Sequence, residues 1–161
     1  LVLERDYDIE LPKWIHPAVS GVVQKATEAT GLEVSSEKIK ALYQAHFVEV
    51  VTAWQLHDYG IQANGQEIRA SFKVGEALLS GHGAGALEAL SDALSVHYGC
   101  VLEVTQFDQH ALASGTDAQA LACMEVRING VVLHGIAQAE DTTAAALQAM
   151  LTAFSRSEAA G

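Results

Sequence analysis

From residue 50 onward the chain passes through the same order of elements twice, and this repetition limits the possible folds more than any other feature. Residues 50–59 read as a strand, followed by an Asn64-Gly65 turn. Residues 66–74 alternate, with Ile68, Ala70, Phe72 and Val74 on one face. Gly75-Glu76 turns the chain into a short third strand over 77–80, and a helix is expected over 83–97, with Leu87, Leu90 and Leu94 facing inward. The second pass has strands over 101–107, 117–128 and 131–137 and a helix over 141–154, with Asp141 or Thr142 near its cap. Asn129-Gly130 answers Gly75-Glu76, and Gly135 precedes the second helix as Gly81 precedes the first. The expectation is an α+β fold of duplicated βββα units forming a two-layer domain over 49–154, with a polar, frayed tail over 155–161.

The first part of the chain has a different character. Leu1-Val2-Leu3 reads as the end of a strand, and residues 4–10 as a charged connector. Ile15, Val19, Val22, Val23 and Ala26 place a helix over 13–30, with Pro17 at its first turn or at a kink and Gly31 as C-cap. Ser35 or Ser36 caps a second helix that carries Ile39, Leu42, Tyr43 and Phe47. Two short helices enclose little core, so residues 1–48 read as a helical connector subdomain. The start at Leu1, inside an apolar pattern, reads as a piece of a longer chain.

Two stretches of small residues stand out: 80–86 (Ser-Gly-His-Gly-Ala-Gly-Ala) and 110–120 (His-Ala-Leu-Ala-Ser-Gly-Thr-Asp-Ala-Gln-Ala). Small residues let a backbone approach another backbone or a ligand closely. The plainer reading is a pair of tight turns, one of them capped by Asp117.

Composition narrows the function classes. The net charge is −11, from 20 acidic against 9 basic residues. No basic patch is available for phosphates, which argues against nucleic acid and anionic membrane surfaces as partners. No apolar run approaches the roughly 20 residues that cross a bilayer. Cys100 and Cys123 lie in or beside expected strands and read as reduced, buried and structural in a cytoplasmic protein. The seven histidines lack HxH and HxxxH spacing, so no metal site is expected. His110 and His134 read as buried and hydrogen-bonded, and His82 as exposed. There is no G-x-S-x-G elbow, and Gly81-x-Gly83-x-Gly85 is not a dinucleotide fingerprint. Trp14 and Trp54 read as packing residues.

Gly81-x-Gly83-x-Gly85-x-Leu87-x-Ala89-Leu90, His110-Ala111 followed by Gly115-x-Asp117-Ala118-Gln119-Ala120, and Gly135-Ile136 ahead of Asp141-Thr142 carry a family likeness. Together they resemble the C-terminal regulatory domain of α-isopropylmalate synthase. Residues 5–12 and 34–39 resemble the helical connector of that enzyme's longer subclass. The resemblance implies a homodimer of βββα pairs that binds leucine and feedback-inhibits a catalytic barrel upstream. That barrel would use a divalent metal to condense acetyl-CoA with 2-oxoisovalerate. No cofactor is expected in these residues themselves. Carried over position by position, the leucine site comprises Gly81, Gly83, Gly85, Ala86, Phe107, Ala111, Asp117, Ala118 and Ala120. The N–H groups at Gly83, Ala84 and Gly85 would start the helix and meet the ligand carboxylate, while Asp117 or nearby carbonyls would take the ammonium. Four positions depart from the family pattern: Ala86 for proline, Phe107 for tyrosine, Asp8 for glycine and Thr142 for isoleucine. The alternatives are an isoleucine-sensing domain of a citramalate synthase, a dimerisation module that binds nothing and, least favoured, a free-standing enzyme, for which no acid–base constellation is seen.

The chain is expected to transfer no acetyl group. Thiol release above background from acetyl-CoA and the keto acid would refute this.

Overall fold

A computed structural model describes residues 2–112 and 119–161. The chain divides into two compact units, Leu1–Glu49 and Val50–Gly161.

The first unit is helical. Helix α1 covers Val2–Tyr7, a 3₁₀ turn covers Lys13–Ile15, α2 covers His16–Thr30, and α3 covers Ser36–Tyr43 before a π turn over Gln44–Val48. The strand expected at the start is instead the beginning of α1, because three apolar residues are too few to display a period. Pro17 sits in the first turn of α2, where its missing N–H costs nothing, and Gly31 ends the helix at φ 68°. Ser35 Oγ accepts the Lys38 N–H at 3.2 Å and so caps α3. Asp6 ties α1 to α3 by accepting the Ser36 hydroxyl at 2.6 Å. The Arg5 guanidinium and that hydroxyl hold the Asp6 carboxyl down at about 2. Asp8 has φ 56°, a left-handed conformation that explains why glycine suits this position.

The second unit contains the repeat. After a 3₁₀ turn at Thr52–Trp54 come β1 (Leu56–Asn64), β2 (Glu67–Val74), β3 (Ala77–Gly83) and α4 (Ala86–Tyr98). Then follow β4 (Leu102–Ala111), β5 (Ala120–Ile128), β6 (Val131–Ala139) and α5 (Thr142–Ser155). Each trio is an antiparallel sheet, ordered β1-β2-β3 and β4-β5-β6. Each repeat is therefore a sheet layer and a helix layer, and the duplicated βββα reading is correct. The turn at Asn129-Gly130 has φ of 49° and 84°, as a two-residue hairpin turn requires.

One core joins the repeats. It draws Ala70, Phe72 and Val74 from β2, Ala122, Met124 and Val126 from β5, and both helices. Helix α5 is buried on nearly every side, from Ala145 to Phe154. The strand expected over 50–59 begins only at Leu56. Before it, Trp54 turns inward onto Tyr98 and Phe154, with ring centroids 5.4 and 5.2 Å away. Gln148 holds this turn: its Oε1 accepts the Leu56 N–H and its Nε2 donates to the Trp54 carbonyl. The tail is not frayed throughout, because Glu158–Ala160 forms a 3₁₀ turn whose alanines pack on the core.

The largest difference from expectation lies at the glycines. Strand β3 continues through Gly83, and α4 starts at Ala86 rather than residue 83. A Cβ at Gly81 would lie 2.1 Å from the Ala89 carbonyl oxygen, and one at Gly83 would lie 2.7 Å from Glu88 Cβ. In the second repeat a Cβ at Gly135 would lie 2.1 Å from the Ala149 carbonyl oxygen. These glycines let each helix lie directly on its sheet. Gly81→Ala and Gly135→Ala should each cost about 1–3 kcal/mol, the usual penalty for overpacking. Gly60→Ala is the control, since its Cβ would meet only Ser71 Oγ at 3.6 Å. Equal melting temperatures for the three variants would refute the packing role.

Candidate functional site

The start of α4, strand β4 and the start of α5 enclose a groove of about 450 Å³. Gly85, Ala86, Leu87 and Glu88 come from α4, Phe107 and Gln109 from β4, and Thr142, Thr143 and Ala146 from α5. Phe107 and Gln109 are two apart on one strand, so both side chains leave the same face. Phe107 is 41% exposed, unusually open for a large apolar ring.

The two helix starts differ chemically. Gly85, the N-cap of α4, is extended and has no side-chain oxygen to meet the first free amides. Glu88 Oε2 accepts the N–H of Ala84, just ahead of the helix, at 2.8 Å. Ala84 is therefore already satisfied, contrary to the expectation that its N–H would be free for an anion. The start of α5 carries its own carboxylate: Asp141 Oδ1 accepts the Thr143 N–H at 2.8 Å, and Oδ2 accepts the Tyr59 hydroxyl. The phenol bond holds the Asp141 carboxyl below the usual carboxylate range, and the carboxylate pushes the Tyr59 phenol up. Gln109 Nε2 donates to the Thr142 carbonyl.

A smaller cavity of about 340 Å³ adjoins the groove and shares Gln109 and Thr142 with it. Ala111 and Ala120 line it, and they are direct partners across β4 and β5. Of the nine residues expected at the site, Gly85, Ala86 and Phe107 thus meet in the groove, and Ala111 and Ala120 lie beside it. Ala120 is also core, at 4% exposure. Gly83 lies beneath α4, and Gly81 borders a separate concavity with Gly60, Ser71 and Ser80. Close helix packing accounts for both glycines. Asp117 and Ala118 lie outside the described residues. Leu87, Glu88, Gln109, Thr143 and Ala146 were not anticipated. Gln109 was legible from its period-two relation to Phe107, and Glu88 from its place three residues after the Gly85 cap.

His82, His110 and His134 on this unit's strands lie beside carboxylates. His134 Nε2 lies 3.0 Å from Glu125 Oε1, and Thr105 donates to the same carboxylate. His110 is half-buried beside Asp108, and exposed His82 lies on β3 near Glu67 and Asp92. Cys123 is fully buried, and burial, with Asp108 adding, pushes its thiol up to about 12; Cys100 is only half-buried. Among the described residues no group of three His, Cys, Asp or Glu could hold a metal, and no helix is long and apolar enough to cross a membrane.

A family model described as the LeuA allosteric (dimerisation) domain matches residues 33–158. The chain belongs to that family. The matched span of this LeuA-type domain takes in α3, both repeats and every residue of the groove. The chain is 38% identical over 160 residues to a 2-isopropylmalate synthase of Alcanivorax borkumensis, covering 96% of itself and 29% of that relative. It is 37% identical over 164 residues to a 2-isopropylmalate synthase of Pseudomonas fluorescens strain Pf-5, with 97% and 29% covered. The chain thus spans under a third of the length of the curated relatives it matches.

Replacing Asp141 by Ala should cost about 1 kcal/mol at neutral pH through the lost cap. The Asp141 pKa is lowered on folding, so its contribution is complete above the ordinary carboxylate range and disappears as pH falls through the lowered value. The gap in melting temperature between wild type and variant should therefore narrow in strong acid as the ionic part of the contribution is lost. A gap that stays the same there would refute the assignment.

Proposed function

We propose that this chain is the allosteric part of a 2-isopropylmalate synthase and binds leucine in the groove between α4 and α5. The observation that carries the reading is the inequality of the two helix starts. Helix α5 fills its N-terminus with Asp141, whereas α4 presents Gly85, without a side-chain cap, at the rim of a half-apolar groove. A helix N-terminus favours an anion by about 0.3–1 kcal/mol, more where partly buried. The carboxylate of a free amino acid supplies what Gly85 lacks. Leu87, Phe107 and Ala146 offer the isobutyl group an apolar wall. Glu88 and Gln109 offer acceptors to the ammonium, and Asp117 is the further acceptor that the family resemblance implies.

In this reading the domain acts as a homodimer in the cytoplasm, and its target is a metal-dependent catalytic barrel beyond these residues. Leucine inhibits by binding one conformation of the enzyme better than another, since only differential affinity shifts an equilibrium.

Titration calorimetry with leucine, isoleucine and valine tests the reading, and leucine should bind tightest. Tightest binding of isoleucine would favour the citramalate synthase alternative. Gly85→Asp is the decisive variant. A Cβ there meets nothing within 4 Å, and the φ of −155° is open to any residue. The new carboxylate should cap α4 as Asp141 caps α5, raise stability by a few tenths of a kcal/mol, and abolish leucine binding. Undiminished leucine binding by this variant would sink the groove assignment.

A further inference from the structure

Tyr59 belongs to the first repeat, on β1, yet its hydroxyl donates to the N-cap carboxylate of α5 in the second. From the other sheet, Gln109 on β4 donates to the Thr142 carbonyl. The first turn of α5 is thus bolted to β1 on one side and to β4 on the other. That turn contributes Thr142, Thr143 and Ala146 to the groove.

The other repeat has no equivalent of the Tyr59 bolt. Gly81 pairs with Ala70, and its counterpart Gly135 pairs with Met124, which equates Phe72 with Val126 two residues further along. Tyr59 is the β1 partner of Phe72, and Val104 is the β4 partner of Val126. The counterpart of Tyr59 is therefore a valine without a hydroxyl. The counterpart of the Asp141 cap is Gly85, without a carboxylate. One repeat forms its helix without this bond; the other keeps it at the wall of the groove.

We infer that Tyr59 is a positioning residue of the effector groove, its bond to Asp141 setting the α5 wall against which leucine packs. The inference rests on the leucine reading above. It assigns Tyr59 no contact with the ligand.

Tyr59→Phe, Asp141→Asn and the double variant of the 161-residue chain test it. Asparagine caps a helix as well as aspartate does, so Asp141→Asn should leave melting nearly unchanged. Each single variant should weaken leucine about tenfold, in keeping with loss of a hydrogen bond to a charged group. The double variant should be no weaker than either single one, because both remove the same bond. Ultraviolet titration should show the Tyr59 phenol returning toward its ordinary range in Asp141→Asn. Hydrogen exchange should quicken at Thr143 and Ala146 in Tyr59→Phe and stay unchanged at Leu90 and Leu94 of α4. Leucine binding by Tyr59→Phe equal to wild type would overturn the inference. So would a fall in melting temperature with no change in affinity, which is the mark of a purely structural bond. If wild type binds none of the three amino acids, the leucine reading fails by itself. Exchange then decides: unaltered protection at the α5 start in Tyr59→Phe overturns the positioning role as well.

Discussion

The regulatory unit depends on two places where a helix backbone rests directly on a strand. At Gly81 and at Gly135 a Cβ would lie 2.1 Å from a helix carbonyl oxygen, well inside any permitted contact. The absence of side chains there sets the depth at which α4 and α5 sit. Both helices then reach a common core fed by both sheets. Close-packed interiors resist continuous deformation, so a helix seated this way moves as a body or not at all.

On this shared scaffold the repeats have diverged at their helix starts. The second repeat satisfies its first amides with Asp141 and braces that carboxylate with Tyr59. The first repeat has Gly85 at the cap, and its first-turn carboxylate, Glu88, turns back to the Ala84 N–H ahead of the helix, so no side chain caps α4. The groove lies between a satisfied terminus and an unsatisfied one. A duplicated fold thus becomes asymmetric in chemistry while keeping the same order of elements in both repeats.

Much of this was visible in the residues. The alternation of Ile68, Ala70, Phe72 and Val74, the Asn129-Gly130 turn, the Gly31 and Ser35 caps and the pairing of Gly81 with Gly135 all depend on neighbours in sequence, and all are found in the structure. Phe107, Gly85 and Ala86, expected together from the sequence, line one groove in the structure. The errors arose where distant residues decide. Residues 50–55 look like strand, but Trp54 gains more by packing on Tyr98 and Phe154 than by pairing in a sheet. Gly81 and Gly83 look like a turn that opens the helix, because glycine signals close approach without naming what approaches, and here it is α4 against β3.

The sequence by itself determined the repeat, its turns and caps, and the family to which the chain belongs, because these follow from periods and motifs a few residues long. The tertiary structure alone decided that the glycines serve helix packing. It alone brought Glu88, Gln109 and Thr143 to one groove and set Tyr59 of one repeat against Asp141 of the other. Tyr59 and Asp141 are 82 residues apart, a separation at which no local pattern specifies a partner. Only the folding of two sheets around two helices brings them together.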